Sequence, residues 1–113
     1  MGKRIRSNIS RGSAKLAILA LLAEQPLYGF EISRRIEERS QGALRFTLAS
    51  LYPMLYELQK RGLIKSRWEE NSAGRDRRYY SLTPAGKKEL QPLRREWCSF
   101  FRALDRLAGV TRA

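Results

Sequence analysis

At 113 residues the chain has room for one domain with a modest core and one appended element, which excludes a second catalytic domain. With 42% hydrophobic and 30% charged residues it is too apolar for general disorder, and 23 Lys and Arg against 11 Asp and Glu leave a net charge of +12, a field that draws polyanions. The absence of histidine and a single cysteine, Cys98, exclude an internal disulfide, a Cys/His zinc site and any histidine-based triad, so no metal, no other cofactor and no enzyme activity are expected.

Residues 1–12 hold Lys3, Arg4, Arg6 and Arg11 and no acid, and read as a flexible basic arm that either touches phosphates or only solubilises. No apolar segment of signal-peptide type follows, and the longest apolar run, Leu16 to Ala23, is far short of a membrane span, so a cytoplasmic location is expected. From Ser13, a capping residue, Leu16, Leu19, Ala20 and Ala23, with Ile18 and Leu22 beside them, have helical spacing and predict a buried helix ending near Glu24. Gln25-Pro26-Leu27-Tyr28-Gly29 carries turn signals. Phe30, Ile32 and Ile36, opposite Arg34, Arg35, Glu37, Glu38 and Arg39, then predict a second amphipathic helix ended by Ser40-Gln41-Gly42.

After the extended stretch Leu44-Arg45-Phe46 comes a third helix carrying Leu51, Leu55 and Leu58. Pro53 limits where it starts: with Ser50 as N-cap the proline falls in the tolerated first turn, whereas a start at Thr47 requires a kink. Gly62 closes the helix behind Lys60 and Arg61. Residues 63–68 and 77–82, partly alternating and rich in aromatics, flank the polar tip Asn71-Ser72-Ala73-Gly74-Arg75-Asp76 and predict a β-hairpin. Thr83-Pro84 opens a last helix in which Leu90, Leu93, Trp97, Phe100, Leu104 and Leu107 follow a heptad seam, interrupted in its local rules by Pro92, which should kink it.

Three helices followed by a two-stranded ribbon give the order of a winged helix-turn-helix over residues 13–83, mainly α with a small β-hairpin, plus a C-terminal dimerisation helix over 84–113. A helix braced by two others fits the major groove of B-form DNA, about 12 Å wide. Placing Leu51, Leu55 and Leu58 inward turns Pro53, Tyr56 and Lys60 out, with Ser50 and Tyr52 on the flanks. These and Thr47 are the candidate DNA contacts on the third helix, Ser50 alternatively serving as a plain cap and Tyr52 as a core aromatic. On the hairpin, Arg75 and Arg77 share a side and suit phosphate or a narrow minor groove; the alternative is a solvated loop. A homodimer would place two reading helices on a two-fold operator. Trp97, Phe100 and Phe101 read either as dimer core or as the lining of a cavity for a flat apolar effector, with Trp97 and Phe101 as its contacts, and Cys98 reads as packing.

Several segments resemble the PadR-like transcriptional regulators. Leu27-Tyr28-Gly29-Phe30-Glu31-Ile32 is similar to the family's turn into helix two, Ser50-Leu51-Tyr52-Pro53-Met54-Leu55 to its recognition helix, Leu58 through Ile64 to its L-x-x-x-G-L-I, and Gly74 through Gly86 to its wing. The resemblance covers residues 16–97. It implies a homodimer of the short branch with one C-terminal helix, repressing promoters until a small aromatic or hydrophobic effector loosens it, with Trp97 where multidrug-binding members place an aromatic. The competing function is a winged-helix module that binds structured RNA or a protein without promoter readout.

Overall fold

The computed structural model describes residues 2–70 and 76–111, with side chains from Gly12 to Glu70 and from Arg77 to Thr111. Helix α1 spans Gly2–Glu24, strand β1 Leu27–Tyr28, α2 Gly29–Arg39, α3 Leu48–Lys60, β2 Ile64–Glu70, β3 Asp76–Leu82 and α4 Pro84–Ala108. The molecule is elongated, 53 × 29 × 23 Å.

One core joins all layers. Ala14, Ile18, Leu19, Leu21 and Leu22 from α1 meet Ile32 and Ile36 from α2, Leu51, Leu55 and Leu58 from α3, and Leu27, Ile64 and Tyr80 from the sheet. Each fully buried Ile or Leu contributes about 1.5–3 kcal/mol of transfer free energy, which makes this cluster the main driving force for the fold.

The helix-turn-helix is set by local bonds. Tyr28 N–H donates to Glu31 Oε1 across the start of α2 (2.9 Å), and Gly42 N–H donates to Glu37 O (2.8 Å) where Gln41 and Gly42 adopt positive φ and end the helix. Ser33 Oγ then donates to Phe46 O (2.7 Å), tying the turn to α2, and Phe46 itself plugs the core.

Two elements differ from the sequence reading. The expected flexible arm, residues 1–12, is helical from Gly2, and α1 does not start at Ser13. No proline interrupts residues 2–24, and the helix lies along α4: a Cβ on Gly12 would stand 3.0 Å from Trp97 Cζ2, and Lys15 Nζ lies 3.7 Å from Glu89 Oε2. The basic side chains of the arm lie outside the described residues.

The wing, expected as a simple hairpin, is a three-stranded antiparallel sheet in the order β1-β3-β2. Leu27-Tyr28, read as a turn, pairs with Tyr80 and Tyr79 and roots the wing on the body.

Behind the wing, Thr83 is the N-cap of α4. Its Oγ1 accepts from Gly86 N (3.0 Å) and donates to Gly62 O (2.6 Å), while Thr83 N–H donates to Leu63 O (3.1 Å). Gly86 touches the same carbonyl so closely that a Cβ would sit 2.1 Å from Leu63 O, so only glycine fits there.

Helix α4 runs from Pro84 to Ala108 with Pro92 inside it, so the proline does not end the helix. Pro92 and Lys88, whose carbonyl lacks the proline's N–H, are both exposed residues, a setting in which solvation can offset the lost bond. Gly109, at φ 62°, ends the helix.

Candidate nucleic-acid interface

Thr47, not Ser50, caps α3. Thr47 Oγ1 accepts from Ser50 N (3.2 Å), and Ser50 Oγ donates back to Thr47 O (3.0 Å). This start puts Pro53 at the sixth helical position, deeper than the first turn. The carbonyl it leaves without a donor belongs to Ala49, which is exposed, so solvation offsets most of the cost that argues for a later start.

Leu51, Leu55 and Leu58 are buried as the spacing requires, and Pro53, Tyr56 and Lys60 are exposed, Tyr56 at 65%. Tyr52 combines both readings: half its surface is open, and its ring lies against Gly29, where a Cβ would stand 3.0 Å from Tyr52 Cε1.

Beside α3 the sheet presents two differently furnished faces. On one, Trp68 and Arg78 are paired in register, with the Arg78 guanidinium 4.8 Å from the indole ring, and Tyr80 lies buried below them. Burial pushes the Tyr80 phenol above its ordinary pKa.

On the other face, Tyr28 Oη donates to Glu69 Oε2 across β3 (2.5 Å), and Arg67 pairs with Glu69 (2.8 Å). The Tyr28 hydroxyl, then Arg67, hold the Glu69 carboxyl below the usual range, and the same bond raises Tyr28. Arg77 is exposed and spans two rings, 5.7 Å from the Tyr28 centroid and 5.3 Å from that of Phe30, so its cation is positioned by aromatic faces, with no ion pair among the described residues. Arg75 lies outside the described residues.

Between α3 and the sheet runs an open groove of about 850 Å3, walled by Leu48, Tyr52 and Tyr56 on one side and Trp68, Arg77 and Arg78 on the other, with Gly29 at its floor. The third helix and the wing therefore face one space. The sequence reading brought Tyr52, Tyr56 and Arg77 to it but left out Phe30, Leu48 and Trp68 and ranked Arg78 behind Arg75 and Arg77. A signal for Trp68 and Arg78 existed, since hairpin register sets residues 68 and 78 opposite each other, where an aromatic and an arginine pair well.

Along α4 the heptad divides. Leu90, assigned to the dimer seam, is only 3% exposed and sits in the core of its own protomer, so it does not belong to that seam. Leu93 packs partly on the same core, and Leu104 is half-buried. Phe100 and Leu107 are exposed, Leu107 at 86%.

The Trp97 ring contacts Phe100 edge-on and Phe101 at a tilt, with centroids 5.7 Å away in both cases. A shallow groove opens on each side of it, about 480 Å3 toward Cys98 and Phe101 and about 370 Å3 toward Gly12 and Phe100. Cys98 is exposed rather than packed. Among the described residues no cluster of metal-ligating side chains occurs, and no helix is long and apolar enough to cross a membrane.

Residues 18–92 match the model of the PadR-like family of transcriptional regulators. The chain is 34% identical over 85 residues to a transcriptional regulator of Mycobacterium tuberculosis, covering 75% of this chain and 76% of that one. Its structure is similar to that of a transcriptional regulator from Clostridium thermocellum, with TM-score 0.82 and 31% identity over 89% of this chain and 98% of the other. It is also similar to Bacillus subtilis PadR in complex with operator DNA, with TM-score 0.64 and 31% identity over 69% of this chain and 44% of that longer one. With family match, sequence relatives and fold in agreement, the chain belongs to the PadR-like family, whose members are transcription regulators and not enzymes.

Proposed function

We propose that this chain is a DNA-binding repressor that acts as a homodimer on a two-fold operator and is released by a small aromatic or hydrophobic effector. The observation that carries the reading is the shared groove: Tyr52 and Tyr56 of α3 stand beside Arg77 and Arg78 of the wing, with Pro53 and Lys60 exposed on the same helix, in a chain of charge +12. A helix of that exposure suits the major groove, the wing cations suit the flanking phosphates, and Thr47 and Ser50 lie at the helix N-terminus, which favours phosphate. The similarity to a PadR protein solved on operator DNA points the same way.

Dimerisation is assigned to Leu93, Trp97, Phe100, Leu104 and Leu107 on α4, because the exposed Phe100 and Leu107 and the half-buried Leu93, Trp97 and Leu104 form an apolar face at heptad spacing that a second helix would cover. The effector is assigned to the grooves beside Trp97 and Phe101, whose ring faces suit a flat apolar molecule. Bound at the operator, the dimer blocks transcription; a ligand wedged beside Trp97 changes how the subunits meet.

The test is to capture genomic fragments with the purified protein, sequence them, and titrate the recovered site with flat aromatic compounds. Enrichment of a two-fold site, weakened by at least one compound and by Arg77→Ala, is expected. Recovery of fragments without any common two-fold sequence would refute promoter readout.

A further inference from the structure

The outer face of α3 is unusual in what it lacks. At about 100° per residue, Ala49, Pro53, Tyr56 and Lys60 share an arc of about 60° opposite the buried leucines. All four are exposed. The helix, Leu48–Lys60, contains no arginine, asparagine or histidine. Its one amide, Gln59, is turned toward the sheet, where its Oε1 accepts from Ser66 Oγ at 2.8 Å. Arg61, just beyond the helix, is paired with Glu57 at 3.2 Å. Arginine, asparagine and glutamine, which grip one base through two hydrogen bonds, are therefore absent from the arc or engaged elsewhere, leaving a methyl group, a pyrrolidine ring and a phenol ring before Lys60, the arc's single cation and one guanine-reading side chain, at the C-terminal end.

In the major groove the base-edge group that such a surface recognises is the 5-methyl of thymine, the one apolar feature the groove displays. We infer that α3 reads its operator chiefly through thymine methyl groups, seated on Ala49, Pro53 and the ring of Tyr56, with Lys60 anchoring the far end of the helix. The inference rests on the reading of α3 as the helix that enters the major groove. The basic charge of the chain and the Arg77 and Arg78 cations beside the same groove fit a duplex as the occupant.

The experiment replaces each thymine of the recovered operator duplex, one at a time, with deoxyuridine, which keeps every hydrogen-bonding group and removes only the methyl. Affinity is measured for the full chain and for the Ala49→Gly, Pro53→Ala and Tyr56→Ala variants, whose exposed positions leave the core intact, with circular dichroism as the check on folding. At one or more thymines in each half-site the wild-type protein should lose about fourfold in affinity, the worth of one buried methyl group. That loss should vanish in the variant lacking the facing side chain.

If uridine has no effect anywhere while the protein still prefers its operator over a scrambled duplex, the inference fails and the regulator reading stands. A uridine penalty that persists unchanged in Ala49→Gly, Tyr56→Ala and Pro53→Ala belongs to duplex shape and overturns the inference as well. No preference for any duplex overturns both.

Discussion

Between Pro84 and Leu93 the last helix lies on its own protomer, with Gly86 and Leu90 buried; between Trp97 and Ala108 the same helix carries Phe100, Phe101 and Leu107 exposed, and Val110 just beyond its end is exposed too. The apolar spacing does not change at the boundary. In the first half the partner surface comes from α1, the sheet and the turn at Leu63, and the burial free energy is already realised in one chain. In the second half α1 offers Gly12 and Leu16 beside Trp97, while among the described residues Leu107 stays open to solvent. A heptad thus marks a face, while what covers that face is decided by where the neighbouring elements end.

The largest effect that would sharpen this contrast is in the first half. Leu90→Ala should cost about 3 kcal/mol in urea unfolding, with no dependence on protein concentration. Gly86→Ala should follow at about 2 kcal/mol, because the new methyl must displace the Leu63 backbone. In the second half, Phe100→Glu with Leu107→Glu should change protomer stability by less than about 0.5 kcal/mol yet convert a sedimenting dimer to monomer. A dimer that survives that pair of charges breaks the comparison.

The smallest effect concerns the wing. Because the Glu69 carboxyl sits below its usual range when folded, its contribution is complete above the unfolded value of about 4.3 and is lost as pH falls through the lowered folded value. Tryptophan emission should therefore stay flat from about pH 8 to about pH 5 and shift only below about pH 4. Glu69→Gln should abolish that acid step.

Much of the fold was legible because its punctuation is local. Thr83-Pro84 starts α4 and Gly62 ends α3, each through chemistry confined to a few residues. The misreadings come from interactions that spacing does not carry. Ser13 resembles a helix cap, but Gly12 is held in the helix by Trp97, 85 residues further along the chain. Pro53 argues for a cap at Ser50, and exposure of Ala49 lifts that argument. Leu27-Tyr28 is too short to show a period, and its partner strand lies some 50 residues away. The groove followed the same rule: Tyr56 was visible from one helix, whereas Trp68 and Arg78 required the register of two strands.

The joint at Thr83 and Gly86 fastens the end of α3 to the start of α4 through Gly62 and Leu63, with no room for a side chain between them. It behaves as a stiff knee. The shank beyond it, α4, runs 25 residues, about 37 Å, so a tilt of about 5° carries its far end through about 3 Å. In a dimer built on α4, the span between two reading helices is then fixed by the angle at which the shanks cross, and a molecule that pries them apart retunes that span without touching α3.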